Sequence, residues 1–171
     1  MDFAPVPCKA DEEEMLRLTA LYGSSIKRTC YLILKDRALC EDAAQETFVK
    51  AWKHLSDLKS VQNEKAWLMR IAMNTCRDML RGSWFRFLDR RVTPEDLPLA
   101  AAESEAHPLL AEAVMALSPR YRQVVVLYYY QGLNTQEMAE ALSLSVNTVK
   151  SRLARARKLL KDQLEGGWNH E

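Results

Sequence analysis

Glycine and proline are scarce, five and six in 171 residues. Their scarcity, beside abundant Ala, Leu, Glu, Lys and Arg, favours helices over sheet. The chain lacks a glycine-rich loop to cradle phosphate, a pair of histidines at HExxH spacing and a nucleophile elbow. Its three histidines, His54, His107 and His170, stand apart from one another. Nothing therefore points to an enzyme, and no cofactor or small-molecule substrate is expected. The four cysteines (Cys8, Cys30, Cys40, Cys76) form no CxxC pair and no cluster at zinc spacing. They read as small buried thiols in a reducing compartment, with no metal site. No apolar run approaches the roughly 20 residues that span a bilayer, so no direct membrane insertion is expected. The start Met1-Asp2-Phe3-Ala4-Pro5-Val6-Pro7 lacks the basic and apolar regions of a secretory leader. The expectation is a cytoplasmic protein.

The net charge is only +1, yet charge is unevenly placed. Residues 146–161 carry six cations (Lys150, Arg152, Arg155, Arg157, Lys158, Lys161) and no acid. Val146, Val149, Leu153, Ala156 and Leu160 recur there at helical spacing, which predicts a helix buried on one side and basic on the other. Such a helix suits a polyanion. Conversely, residues 92–107 hold four acids, two prolines and no Lys or Arg, the composition of a linker.

The pattern predicts an all-α chain of two small helical domains joined by a flexible linker. Its parts are a flexible arm (1–10), a first domain (11–91), the acidic linker (92–107), a second domain (108–165) and a tail (166–171). In the second domain, Ser118-Pro119 predicts a capped start, and Gly132 a left-handed stop for a helix reaching Gln131. The run Val124–Tyr130 has strand propensity but helical flanks and is read as buried helix. Asn134 with Glu137 predicts a capping box, and Ser145 a cap for the basic helix. A short helix, a tight turn and a longer basic helix make a helix-turn-helix.

With the apolar stripe inward, Asn147, Ser151, Ala154, Arg155 and Lys158 point outward and Thr148 lies beside them. Asn147, Thr148, Ser151 and Arg155 are candidate base readers; Lys150, Arg152 and Arg157 are candidate phosphate partners. A solvated basic surface is the plain alternative. In the first domain, Ala44, Phe48, Ala51, Trp52 and Leu55 predict one buried stripe, with Asp42, Gln45, Glu46 and Val49 on or beside the opposite face. Leu68, Ile71, Ala72, Thr75 and Met79 predict another. Opposite it, Arg70, Asn74, Arg77 and Arg81 make a row able to track a phosphate backbone, with Asp78 at its edge as a base reader or a brace. Trp52 and Trp67 fit core positions. Trp84 lies among cations at the domain's end, with no role assigned.

The segments Asp42–Trp52, Ala66–Arg81, Leu117–Arg122 and Thr148–Arg157 together resemble bacterial sigma factors of the extracytoplasmic-function group. The resemblance spans about residues 12–165, in order. It implies a promoter-specificity subunit of RNA polymerase that reads −35 and −10 elements and aids promoter melting. Asp42, Gln45, Glu46 and Val49 would dock on the coiled coil of the largest polymerase subunit, and the second domain near the flap region. Asn74 and Asp78, flanked by Arg70, Arg77 and Arg81, would read the −10 element. Residues 56–65 would form the loop that receives a flipped base. The resemblance also implies an anti-sigma factor as partner. The alternative is a helix-turn-helix regulator that acts without being a polymerase subunit.

Overall fold

A computed structural model describes residues 8–82 and 108–166. The arm up to residue 7, Trp84, the acidic linker at 92–107 and the tail from 167 lie outside the described residues. Among the described residues every regular element is helical.

Helix α1 (Lys9–Leu34) starts on Cys8, whose backbone N–H and thiol both donate to Asp11. It ends at Lys35, left-handed at φ 57°. Asp36 then accepts the Leu39 N–H and caps α2 (Arg37–Lys53). This stop-and-cap pair folds α2 back on α1. A 3₁₀ segment (Leu55–Ser60) leads to Asn63, which accepts the Ala66 N–H and caps α3 (Glu64–Arg81).

After the linker come α4 (Pro108–Ala116) and α5 (Pro119–Val125). The expected side-chain cap from Ser118 is absent. Its carbonyl instead accepts the Tyr121 and Arg122 N–H groups, and Pro119 supplies a preset first turn. The apolar run is helical as expected, but Val126–Tyr130 widens to a π turn, with the Gln131 N–H reaching the Val126 carbonyl. Gly132 follows at φ 67°. Asn134 and Glu137 close the capping box of α6 (Thr135–Leu142). Ser143 turns the chain at φ 55°, and Ser145 caps α7 (Val146–Gly166) through the Thr148 N–H. The helix-turn-helix is α6 and α7.

The two helical units share one apolar core. Six consecutive residues of α1, Thr29 to Leu34, are all buried. A helix buried all round needs neighbours on every side. Helices α2 and α3 cover one side, and α5 with its π turn covers another. Helix α3 likewise packs against α1 and α2 and also against α6. Beyond the expected Leu68, Ala72 and Thr75 it therefore buries Met69, Met73 and Cys76 as well, whereas Ile71 and Met79 are only partly buried.

Polar groups fix this seam. The Gln131 amide donates to Thr29 Oγ1 at 2.8 Å, and its oxygen accepts from Ser25. Arg122, 4% exposed, donates to the Met115 and Leu117 carbonyls and across the seam to Ile33. Asn63 Nδ2 donates to Glu137 Oε1 at 2.7 Å.

Candidate nucleic-acid interface

The buried stripe of α7 comprises Val149, Leu153, Ala156 and Leu160. Asn147, Lys150, Ser151, Arg155 and Lys158 consequently stand exposed on one face, with Thr148 and Arg152 partly buried at its border. Two of the candidate side chains are engaged locally. Thr148 lies in the cap, its hydroxyl 2.8 Å from Ser145 Oγ. Arg157 is turned back onto the π turn after α5: its Nε donates to the Tyr129 hydroxyl at 2.7 Å, and its guanidinium lies over the rings of Tyr128 and Tyr129. The bond to Tyr129 raises the Arg157 pKa. Arg157 is thus a clasped cation at the edge of the basic face, while Arg155 points freely outward.

On α3 the row is split. Arg70 and Arg81 are exposed, whereas Asn74 and Arg77 are half-buried. Arg77 donates to Asn74 Oδ1 at 3.2 Å and to the Leu142 carbonyl of α6 at 3.1 Å. The expectation of an open row of four is therefore corrected at its centre, where α6 leans on it. Asp78 is exposed and lies 3.6 Å from Lys50 Nζ. The same ammonium donates to the buried Thr75 hydroxyl at 3.2 Å and sits 4.0 Å from Glu46. Asp78 thus has a brace, and it is a lysine of α2. Helical patterning alone does not single out Lys50, although its place in the Asp42–Trp52 segment, one turn after Glu46, is a usable signal. It ties the α2 face to the α3 row.

The α2 face is as expected: Asp42, Gln45 and Val49 are exposed and Glu46 is at its border. Val49 is 46% exposed, a large apolar side chain amid polar ones. Such a centre suits a protein partner.

Beside the 3₁₀ segment lies an open cavity of about 810 Å³ lined by Trp52, Leu55, Leu58, Val61 and Glu64, with Cys8 and Asp11 of α1. Trp52 is thus not only core. The loop composition gave no sign of this cavity, because one wall comes from the distant start of α1. On its rim Glu64 accepts from Arg17 and from the Tyr22 hydroxyl. These bonds, that of Arg17 first, hold its carboxyl below the usual range.

Cys30, Cys40 and Cys76 are buried as expected, but the expectation fails for Cys8, which is exposed at the start of α1. A bond with Cys76, and then burial, push the Cys30 thiol up; burial pushes Cys40 up to about 11. Buried thiols of this kind are inert. Among the described residues no group of three or more His, Cys, Asp or Glu is placed to hold a metal, and no helix is long and apolar enough to cross a membrane.

The family model for Sigma-70 region 2 matches residues 18–86, and that for Sigma-70, region 4 matches residues 108–160. The ECF RNA polymerase sigma factor SigL of Mycobacterium tuberculosis is 34% identical over 161 residues, covering 89% of this chain and 91% of that protein. The probable RNA polymerase sigma factor RfaY of Xanthomonas campestris pv. campestris is 30% identical over 158 residues; the match covers 86% of this chain but spans only 40% of that longer protein. Among solved structures, CnrH in complex with the cytosolic domain of CnrY superposes with a TM-score of 0.68 at 30% identity, covering 91% of this chain and 90% of that one.

Proposed function

The chain belongs to the extracytoplasmic-function sigma factors of RNA polymerase, and we propose from that premise how its residues share the work. A sigma factor directs core polymerase to its promoters. In this chain the −35 element is the task of α7. Asn147, Ser151 and Arg155 read base edges, with Thr148 setting the N-terminal turn through its cap. Lys150 and Arg152 hold phosphates on either flank. Arg157 contributes a fixed positive charge from the edge, held by Tyr129.

The −10 element is the task of α3. Arg70, Arg77 and Arg81 follow the backbone, while Asn74 and Asp78 read bases. The cavity beside residues 55–61 receives a base turned out of the stack; its apolar wall, Trp52 included, offsets the few kcal/mol of unstacking. Asp42, Gln45, Glu46 and Val49 dock on the largest polymerase subunit, and the α4–α7 unit sits by the flap region. The chain performs no catalysis, acts in the cytoplasm, and is held in check by an anti-sigma factor that covers these faces.

The observation that carries this reading is the exposed basic face of α7, free of acids over residues 146–161, in one chain with the α3 arginine row and the Val49-centred face of α2. Two grips need not be tight singly, since the tether raises the effective concentration of the second. The test adds the full chain to core polymerase and scores initiation at selected promoters. Specific initiation that core alone cannot give is expected, with its loss in Glu46→Lys through failed core binding. Tight, specific promoter binding without polymerase, and no initiation with it, would instead indicate a free-standing regulator. Arg155→Ala is expected to lower discrimination at one −35 base pair; equal loss on cognate and scrambled DNA would leave it a phosphate contact.

A further inference from the structure

The α3 surface assigned above to the −10 element carries arginines and, at Asp78, a carboxylate. A carboxylate beside a nucleic-acid strand is repelled by every phosphate near it. Burial does not shield this one, since 63% of the Asp78 side chain is exposed. Its place on that surface therefore calls for a compensating charge.

Lys50 of α2 is placed to supply it. Helix α2 packs against α3. Thr75 and Asp78 stand one turn apart on α3 and so share a face. The Lys50 ammonium donates to the Thr75 hydroxyl at 3.2 Å and stands 3.6 Å from Asp78 Oδ2. Thr75 is buried, so its oxygen anchors the ammonium on the core side, with exposed Asp78 outward of it. Glu46, one turn earlier on α2, is farther off at 4.0 Å. Pinning a lysine head costs rotamer freedom, and an exposed ion pair returns little of it as stability. The contact has its larger effect when a third charge, the strand, comes close.

We propose that Lys50 is the positioning residue for base recognition by Asp78. It cancels the carboxylate's charge toward the strand and draws Oδ2 to itself, which turns Oδ1 outward to accept from a base amino group. This rests on the assignment of Asp78 to the −10 bases. The bases that qualify are adenine and cytosine, which present an exocyclic amine where thymine presents a carbonyl oxygen. Lys50 touches no base and acts only through Asp78. Without it the carboxylate is both repelled and free to rotate, so its preference for an amine falls.

The test uses the full chain assembled with core polymerase. Two templates that differ at one −10 base pair compete in each reaction, and the ratio of their transcripts is read for all four bases at every −10 position. The parent is compared with Asp78→Ala, Lys50→Met, Lys50→Arg and the Lys50→Met, Asp78→Ala double variant. Methionine keeps most of the stem and removes the charge; arginine keeps the charge. Because each value is a ratio within one reaction, any loss of folded or polymerase-bound chain cancels. A purely structural role lowers initiation on all templates alike and leaves the ratios unchanged.

Asp78→Ala is expected to lower the preference for adenine or cytosine over thymine about tenfold at one position, the scale of one specific base contact. Lys50→Met should lower it at that same position by about half as much on a logarithmic scale, roughly threefold, and Lys50→Arg should retain the parental preference. The double variant should match Asp78→Ala alone, since nothing is left to position. Three outcomes overturn the proposal and leave Asp78 a base reader. They are parental ratios in Lys50→Met, a change of equal size at every position, and losses that add in the double variant. Parental ratios in Asp78→Ala take Asp78 off the bases and remove the assignment and the proposal together.

Discussion

Arg122 is the residue on which most backbone ends converge. Its guanidinium is buried and serves carbonyls of Met115, Leu117 and Ile33, closing the corner between α4 and α5 and reaching the last turn of α1. Arg122→Met fills similar space but leaves three acceptors without that donor. A loss of about 3 kcal/mol is expected, read as a lower urea midpoint. A loss under about 0.5 kcal/mol, the range of ordinary surface changes, would show that water replaces the guanidinium there. Glu64 makes a different prediction, in pH. Arg17 and Tyr22 depress its pKa in the folded chain. The stabilisation is thus complete above the unfolded carboxylate value of about 4.3 and disappears as pH falls through the lower folded value. Glu64→Gln removes that dependence, so stability curves of parent and variant should converge as the solution is acidified and separate again toward neutrality. Curves that stay parallel from pH 6 down to about 3, well below the free carboxylate value, would remove the carboxylate from the acid limb.

Helix ends were the most legible elements, because their signals are local. Asn134, Glu137, Ser145 and Gly132 each do what their residue types do in any chain. Gly132 gives a sharp test. A Cβ there would meet nothing within 4 Å, yet φ is 67°. The cost of Gly132→Ala is then purely conformational, about 1 kcal/mol, and Gly132→Asn should cost less because Asn tolerates the left-handed region. Urea unfolding of the pair checks both, and equal losses in Ala and Asn would contradict a backbone origin. Lys35 and Ser143 occupy the same region without glycine, which is why the α1 stop was invisible in the sequence. The outward face of α7 was equally legible, since one apolar stripe fixes the opposite side. Arg157 was not: its fate depends on Tyr128 and Tyr129 some thirty positions earlier, presented by a π turn. Local patterning carries no record of such a meeting.

Two domains and a linker were the sequence's picture of the whole molecule, and the shared core refines it. The cue lay in runs too apolar for a one-sided helix: Tyr31–Leu34 on α1, and Met69, Met73 and Cys76 beside the expected stripe of α3. A helix of a small separate domain would leave such residues half in water. Their burial makes each unit part of the other's solvent shield. Side chains of this size contribute roughly 1.5–3 kcal/mol each when fully buried, so the first unit alone forfeits a sizeable share of a typical domain's stability of about 5–15 kcal/mol. The full chain is accordingly expected to unfold in one cooperative step, with calorimetric and van't Hoff enthalpies equal. A fragment ending at residue 82 should melt earlier than the chain. Two resolved transitions, with the fragment reproducing one of them, would mean that the units are thermodynamically independent and that the seam contributes little. The same measurement on Asn63→Asp tests the seam at one bond: its carboxylate would stand against that of Glu137, so the transition should fall in temperature, and an unchanged melt would show that this bond contributes little.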